Sequence, residues 1–378
     1  MEMRRLSADQ IRTNEPLPWD VFDEYQQLLL RKGYIIESQR QAEELVVRGV
    51  YVDALAFAAK AGSVVPLVEE FNPFKLWDDI QRRLGPLIRQ ILSGEATAET
   101  AGKMTELAKM AQELSQKDAD AGIAAMLLVE SFKYPIAHPL HVAIVCELVT
   151  QRLNWSNEER LSTVAAAMTM NLGMIEMQNR LFHQQATLTE EQRQCIHEHP
   201  VKGYEILQQS GIQDQEWLTA VLEHHECPDG SGYPRAMTDL SQPSQVIRLA
   251  DIFCAKISPR SYRKPFLPNV AAREIFVSEG DGGQNPIATF LIKEIGIYPP
   301  GSFVKLANGE TAIVVRRGEA ANSPVVAALS SGSGIPYVDP VERHTGRSKD
   351  FSITSALSRD KIMVQINMPR MWGYQKNS

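Results

Sequence analysis

The sequence predicts a mainly α-helical protein, a helical domain with a small α/β module before it and a small β-rich appendage after it. Three observations carry this. Apolar residues recur at three- and four-residue spacing from about residue 76 to 295, the mark of buried helix faces. Strand-like alternation is concentrated after Tyr298-Pro299-Pro300-Gly301, where FVKLANGETAIVVRR brackets Asn308-Gly309 as a hairpin would. The first 75 residues instead mix two short apolar runs, Leu28 to Leu30 and Val46 to Val52, with turn residues such as Gly33 and Gly49.

Taken in order, residues 1–75 are expected to form a small N-terminal module, closed by Pro66 and Pro73, and residues 76–125 a helical linker or bundle segment. Residues 126–297 should form the main helical domain and residues 298–378 the β-rich appendage. In the linker, Leu76, Ile80, Leu84, Leu87, Ile88 and Ile91 mark one helix, with a kink or break expected at Gly85-Pro86 and a stop at Gly94. A second helix is expected from about Ala98 to Ser115 and a third from about Ala119 to Phe132. His138 opens another apolar helix, with Pro139 at an early position that suits it. In the tail, VVAAL and KIMVQI are further strand candidates.

Composition narrows the function classes. At 378 residues and 44% hydrophobic content the chain can bury a sizeable core. A net charge of -7 gives no broad electrostatic footprint for a nucleic-acid polymer. No run reaches the roughly 18 apolar residues of a membrane span, and MEMRRLSADQ is not followed by the apolar core of a signal peptide. Cys146, Cys195, Cys227 and Cys254 make no CxxC pair, so a reducing cytoplasm is the expected compartment.

Two segments carry chemistry. In WLTAVLEHHECPDGSGYP, residues 217–234, Leu218, Val221, Leu222 and His225 fall at i, i+3, i+4 and i+7, so His225 is expected to continue a helix's apolar face beside His224. Neutral imidazole is a common ligand for borderline metals. Two ordinary histidines at a helix C-terminus, where the dipole favours them, stay open as the alternative. In QVIRLADIFCAKIS, residues 245–258, Asp251 sits within an apolar stripe of Ile247, Ala250, Phe253, Cys254 and Ile257. A carboxylate there needs a partner: a cation, Arg248, or water. His199 lies just before Pro200, and its neighbour His197 has no comparable claim; His141, near His138, is expected at the surface.

The order His138, His199, His224-His225-x-x-x-Asp229-Gly230-x-Gly232-Tyr233-Pro234, Ala250-Asp251 resembles the HD-GYP family over roughly residues 126–300. That family is a subset of HD-domain phosphohydrolases. The resemblance implies an all-helical domain that hydrolyses cyclic di-GMP at a site of two or three metals. It implies metal ligands at His138, His199, His224, His225 and Asp251. It also implies a ligand-binding basic segment with Arg260, Tyr262, Arg263 and Lys264, and a partner-binding Gly232-Tyr233-Pro234 loop.

The sequence departs from the family where its name-giving pair should stand. In AAAMTMNLGM, Met170 replaces the His, Asn171 the Asp and Met174 the following Lys, while Gly173 is retained. Tyr134 stands where some relatives carry a Glu, and Cys254 where the family is often acidic. Asn is neutral and offers one good ligand oxygen, and a thioether suits hard or borderline ions poorly. The expectation is therefore a catalytically degenerate domain in cyclic di-GMP signalling. It would act by binding the nucleotide or a partner such as a GGDEF-type cyclase, and could form a homodimer. It would carry at most one divalent ion (Fe, Mn, Zn or Ni) on His199, His224 and His225, or none. A residual or altered phosphohydrolase is the alternative, and a plain oligomerisation scaffold a third.

Overall fold

The computed structural model describes residues 3–7, 10–23, 26–47, 50–53, 57, 71–129, 134–259, 264–279 and 285–375. The chain divides into two compact units, Met1–Glu70 and Phe71–Ser378. The first contains strands β1 (Met3–Arg5), β2 (Val21–Phe22), β3 (Leu28–Leu30) and β4 (Tyr51–Asp53) and helix α1 (Gln39–Val47). Its antiparallel sheet runs β1-β4-β2-β3, and Leu6, Leu17, Val21, Ile36, Ala42 and Val52 form a core of its own.

The second unit begins with α2 (Pro73–Leu92), capped by Asn72, whose side chain accepts from the backbone N–H groups of Phe74 and Lys75. Ile80, Leu84, Leu87, Ile88 and Ile91 are buried as the spacing predicts, whereas Leu76 is half-buried and its neighbour Trp77 takes the core position. Pro86 does not end this helix, so the expected kink or break there is not a boundary. The second and third expected helices form one element, α3 (Ala98–Leu128), whose only departure from helical dihedrals is at Asp118, φ -152° and ψ 84°. The division expected between Ser115 and Ala119 thus exists as a local break. The Asp118 carboxylate accepts from the Ala121 N–H at 2.9 Å, restarting the helix as an N-cap would. Phe132, the expected end of the third helix, lies outside the described residues.

Helix α4 (Tyr134–Arg152) starts about one turn earlier than expected. It is buried along almost its whole length, packed against α3, α5 (Asn157–Thr169), α9 (Gln242–Ile257) and α11 (Pro286–Ile295). A helix apolar all round belongs at the centre of a bundle. This is also why the surface position expected for His141 is wrong: His141 is buried, its ring 5.6 Å from that of Trp77. The remaining helices are α6 (Ile175–His183), α7 (Glu190–Gln209), α8 (Gln215–Glu223) and α10 (Pro268–Ser278).

The appendage is an antiparallel sheet of β5 (Phe303–Leu306), β6 (Thr311–Arg316), β7 (Val325–Ser330), β8 (Pro336–His344) and β9 (Ile353–Leu357), in the order β8-β7-β6-β5-β9. The hairpin at Asn308-Gly309 pairs Phe303 with Ile313 and Lys305 with Thr311, and Gly309 supplies the positive φ of +85°. Side chains alternate as a sheet requires. Phe303, Ile313, Val315, Ala327 and Leu329 join the helical core, whereas Val304, Leu306, Ala312, Val314 and Val326 pack on the opposite face. KIMVQI is not a strand. Its residues pair with neither sheet, and Ile362, Val364 and Ile366 instead pack against the helical core as an extended strap. A short helix, α12 (Met368–Met371), follows. Among the described residues no helix is long and apolar enough to cross a membrane.

Candidate metal centre

The site forms where α4, α7, α8 and α9 converge. A capping box of Thr189 and Gln192 starts α7, which carries His199 fully buried in its middle. The turn Met170–Met174, between α5 and α6, lies directly against α7. A Cβ on Gly173 would sit 2.3 Å from the His199 carbonyl oxygen and 2.8 Å from the Gly203 nitrogen. Only glycine permits this approach, so Gly173 sets the distance between the turn and the helix that holds His199.

Helix α8 is capped by Asp214 and ends at Glu223. His225 therefore does not continue the helix's apolar face, as its spacing suggested; the chain turns at His224, which points inward and is fully buried. Flanking carboxylates hold the turn and the loop after it. Glu223 accepts from the Ser241 N–H at 3.0 Å. Glu226 accepts from the Arg235 N–H at 2.6 Å and the Met237 N–H at 3.0 Å. A Cβ on Gly232 would lie 2.3 Å from the Cys227 nitrogen, so the loop folds back tightly on its own start. Tyr233 donates its N–H to the His225 carbonyl, and its ring stacks on His225 at 4.6 Å and on His197 at 4.4 Å. The aromatic ring of the Gly232-Tyr233-Pro234 loop thus faces the histidines.

His199, His224 and His225 each offer a ligand nitrogen within 4.8 Å of the others. Their tautomers follow from their second contacts. His199 Nδ1 lies 2.5 Å from the Ile196 carbonyl and His224 Nδ1 2.6 Å from the Val221 carbonyl, so both Nδ1 atoms donate. The two Nε2 atoms are then both lone-pair acceptors, yet they lie 3.1 Å apart. Neutral rings in these tautomers share no proton there, and two converging lone pairs call for a cation between or beside them. Burial pushes the His199 imidazole down to about 3 and lowers His224 and His225 as well. Protonation is thus a poor way to supply that charge near neutral pH, and the donor set fits a divalent ion. In a tetrahedral site with bonds of ~2.0–2.1 Å the donors stand roughly 3.4 Å apart, close to the spacing of the Nε2 pair.

His138 and Asp251 sit on the same cavity as His225 but bond to one another, His138 Nε2 to Asp251 Oδ1 at 2.6 Å. Asp251 therefore pairs with His138 and not with Arg248, which bonds to Glu279. Burial by itself would raise the Asp251 carboxyl. The His138 hydrogen bond and the nearby imidazoles outweigh that and hold it well below the usual carboxylate range.

The three positions of the departed motif separate. Met170 is wholly buried in the apolar core and does not reach the cavity, whereas Asn171 and Met174 line it. Cys254 is also a fully buried core residue. The cavity, about 520 Å³, is also lined by Leu181, Phe182, Leu188 and Ile196, and no lysine or arginine is among its described lining residues. Lys264 is exposed and does not line this cavity; Arg260, Tyr262 and Arg263 lie outside the described residues.

Several contributors were not legible as such. His197 gains its place by stacking on Tyr233, and Tyr134 by stacking on His138 at 4.9 Å and on Phe182 at 5.4 Å. Glu226 belongs to the HHE string, but its work is backbone acceptance nine and eleven residues downstream, which local spacing does not reveal.

Comparison with known proteins agrees with this geometry. The HD domain family model matches residues 95–280. The chain is 25% identical over 187 residues to the cyclic di-GMP phosphodiesterase PdeB of Borreliella burgdorferi, covering 49% of each chain. It therefore spans about half the length of that relative. It is 22% identical over 316 residues to a cyclic di-GMP phosphodiesterase of Pseudomonas aeruginosa, covering 76% of this chain and 75% of that one. Among solved structures, an HDG"Y"P protein from Bdellovibrio bacteriovorus shares the fold, with TM-score 0.50 and 14% identity over 77% of this chain and 98% of its own. Over residues 95–280, then, the chain carries an HD domain.

Proposed function

We propose that the chain is a cyclic di-GMP signalling protein whose HD domain keeps one divalent-metal centre on His199, His224 and His225 and binds the nucleotide without hydrolysing it. The observation that carries this reading is the fate of Met170 and Asn171. At the position of the family's ligating histidine, Met170 lies in the apolar core, and at the position of its bridging carboxylate a neutral Asn171 lines the cavity. Two adjacent divalent ions repel strongly unless an anion lies between them, and Asn171 offers none. His138 and Asp251 satisfy one another instead of facing an Asp at position 171.

An ion on the three histidines would supply Lewis-acid charge to a phosphate oxygen or a water. The residues around it have their own tasks. Carbonyl contacts from Ile196 and Val221 fix the two tautomers, Tyr233 covers the His225 face, and Leu181, Phe182 and Leu188 give the cavity apolar walls. Such an ion would also match the charge of a bound phosphate. Lys264 does not line the cavity and would act at a distance from it or not at all.

A second reading, a metal-dependent phosphohydrolase with residual or altered activity, is favoured by one observation: ionised Asp251 shares the cavity with the histidines. Calorimetric titration of the full chain with cyclic di-GMP, run beside a hydrolysis assay with added manganese or iron, decides between them. Binding without turnover supports the first reading. Robust turnover abolished by His225→Ala promotes the second, and absence of binding sinks the nucleotide reading.

A further inference from the structure

A second cavity, of about 360 Å³, lies between the helices and the C-terminal sheet and shares two of its walls, Tyr134 and Phe182, with the candidate metal cavity. Its lining is mostly apolar and comes from both layers, including Leu127, Ala137, Phe266, Phe303 and Leu357. Three polar side chains in that wall are unsatisfied. Both ring nitrogens of His141, Ser302 Oγ and Asn269 Oδ1 are buried without a hydrogen-bond partner. Folded proteins rarely leave such atoms unpaired, because each has given up its water for nothing. His141 and Ser302 are both more than nine-tenths buried.

The rim has the opposite character. Arg359 belongs to the lining and is held over the Phe303 ring at 5.3 Å, with no ion pair among the described residues. Lys264 and Lys361 both act on the neighbouring Asp360, so the local balance is positive. A mostly apolar cavity of this size, a few unsatisfied polar groups and a guanidinium in its wall with further cations nearby together describe a site for a small organic anion.

We propose that this cavity binds a small amphipathic carboxylic acid, apolar body inside and carboxylate at Arg359. Its occupant would press on Tyr134, which stacks on His138 at 4.9 Å, and so report to the candidate metal centre. The site itself does not depend on which ion or nucleotide that centre takes.

The test is calorimetric titration of the full chain with octanoate and, in parallel, octan-1-ol. Saturable one-to-one octanoate binding is expected, weakened on the order of tenfold by Arg359→Gln, the scale of one charge-assisted contact. Octan-1-ol should bind more weakly and be indifferent to Arg359→Gln. Ala356→Trp, which fills the cavity from β9, should abolish both. In protein labelled at histidine, the His138 ring resonance, identified by its loss in His138→Gln, should shift on octanoate addition. No saturable binding, or octanoate binding unchanged in both variants, would overturn the site. Binding that leaves the His138 resonance in place would overturn its link to Tyr134.

Discussion

His199 Nε2 and His224 Nε2 face each other at 3.1 Å while each ring gives its Nδ1 proton to a carbonyl one turn back. The arrangement belongs to a metal site more than to a pair of core histidines, because a core pair would share a proton. Replacing either ring removes a ligand and strands the other's lone pair. His199→Ala and His224→Ala are each expected to weaken zinc or manganese binding by at least about 100-fold, above the loss typical of an outer-shell partner. Competition with a chelating dye measures this, and retention of wild-type affinity in either variant would remove the three-histidine centre.

Gly173 makes a separate prediction about how the site is held. With a Cβ 2.3 Å from the His199 carbonyl, Gly173→Ala must push the Met170–Met174 turn away from α7. A cost of about 3 kcal/mol in stability is expected, at the upper end of overpacking effects. Denaturant unfolding measures it, and a change below about 0.5 kcal/mol would mean the turn and helix are not in contact.

Much of this was readable in the sequence, and the reasons differ by element. The α2 face was legible because one side of the helix is apolar at regular spacing, and the β5–β6 hairpin because Gly309 supplies the positive φ of its turn. KIMVQI alternates like a strand and yet is unpaired, since alternation reports one buried face and not a hydrogen-bonded neighbour. His225 mimicked a helix continuation because periodicity cannot see where a helix stops, and Glu223 is the last helical residue. The grouping of His199 with His224 and His225 came from resemblance, since no local rule places α7 beside the end of α8. His141 was misread because a lone polar residue in an apolar helix looks exposed until that helix proves central.

That misreading has a pH consequence. Burial pushes His141 down to about 3 in the folded chain, against about 6.5 when unfolded. Between those values the unfolded state binds a proton that the folded state refuses, so stability rises with pH. The contribution is fully present above about pH 6.5 and is lost as pH falls toward 3, at about 1.4 kcal/mol per pH unit at its steepest. His141→Phe should flatten the stability profile by about that slope between pH 6 and 5. Parallel wild-type and variant profiles would contradict a neutral, buried His141.

Glu226 ties the loop after the histidines to the site through two backbone N–H groups. Glu226→Gln would turn an amide toward donors that need acceptors and should cost about 1–3 kcal/mol. Amide exchange at Arg235 and Met237 should speed up in the variant. Unchanged protection at both positions would show that the loop is held by other contacts.

The central claim, that Met170 and Asn171 have reduced a multi-metal site to one ion, is tested most directly by elemental analysis. Wild-type protein and the Met170→His/Asn171→Asp double variant are prepared side by side without chelator. One transition metal per wild-type chain and two per double-variant chain is the result predicted here. Two metals per wild-type chain at full occupancy would contradict it.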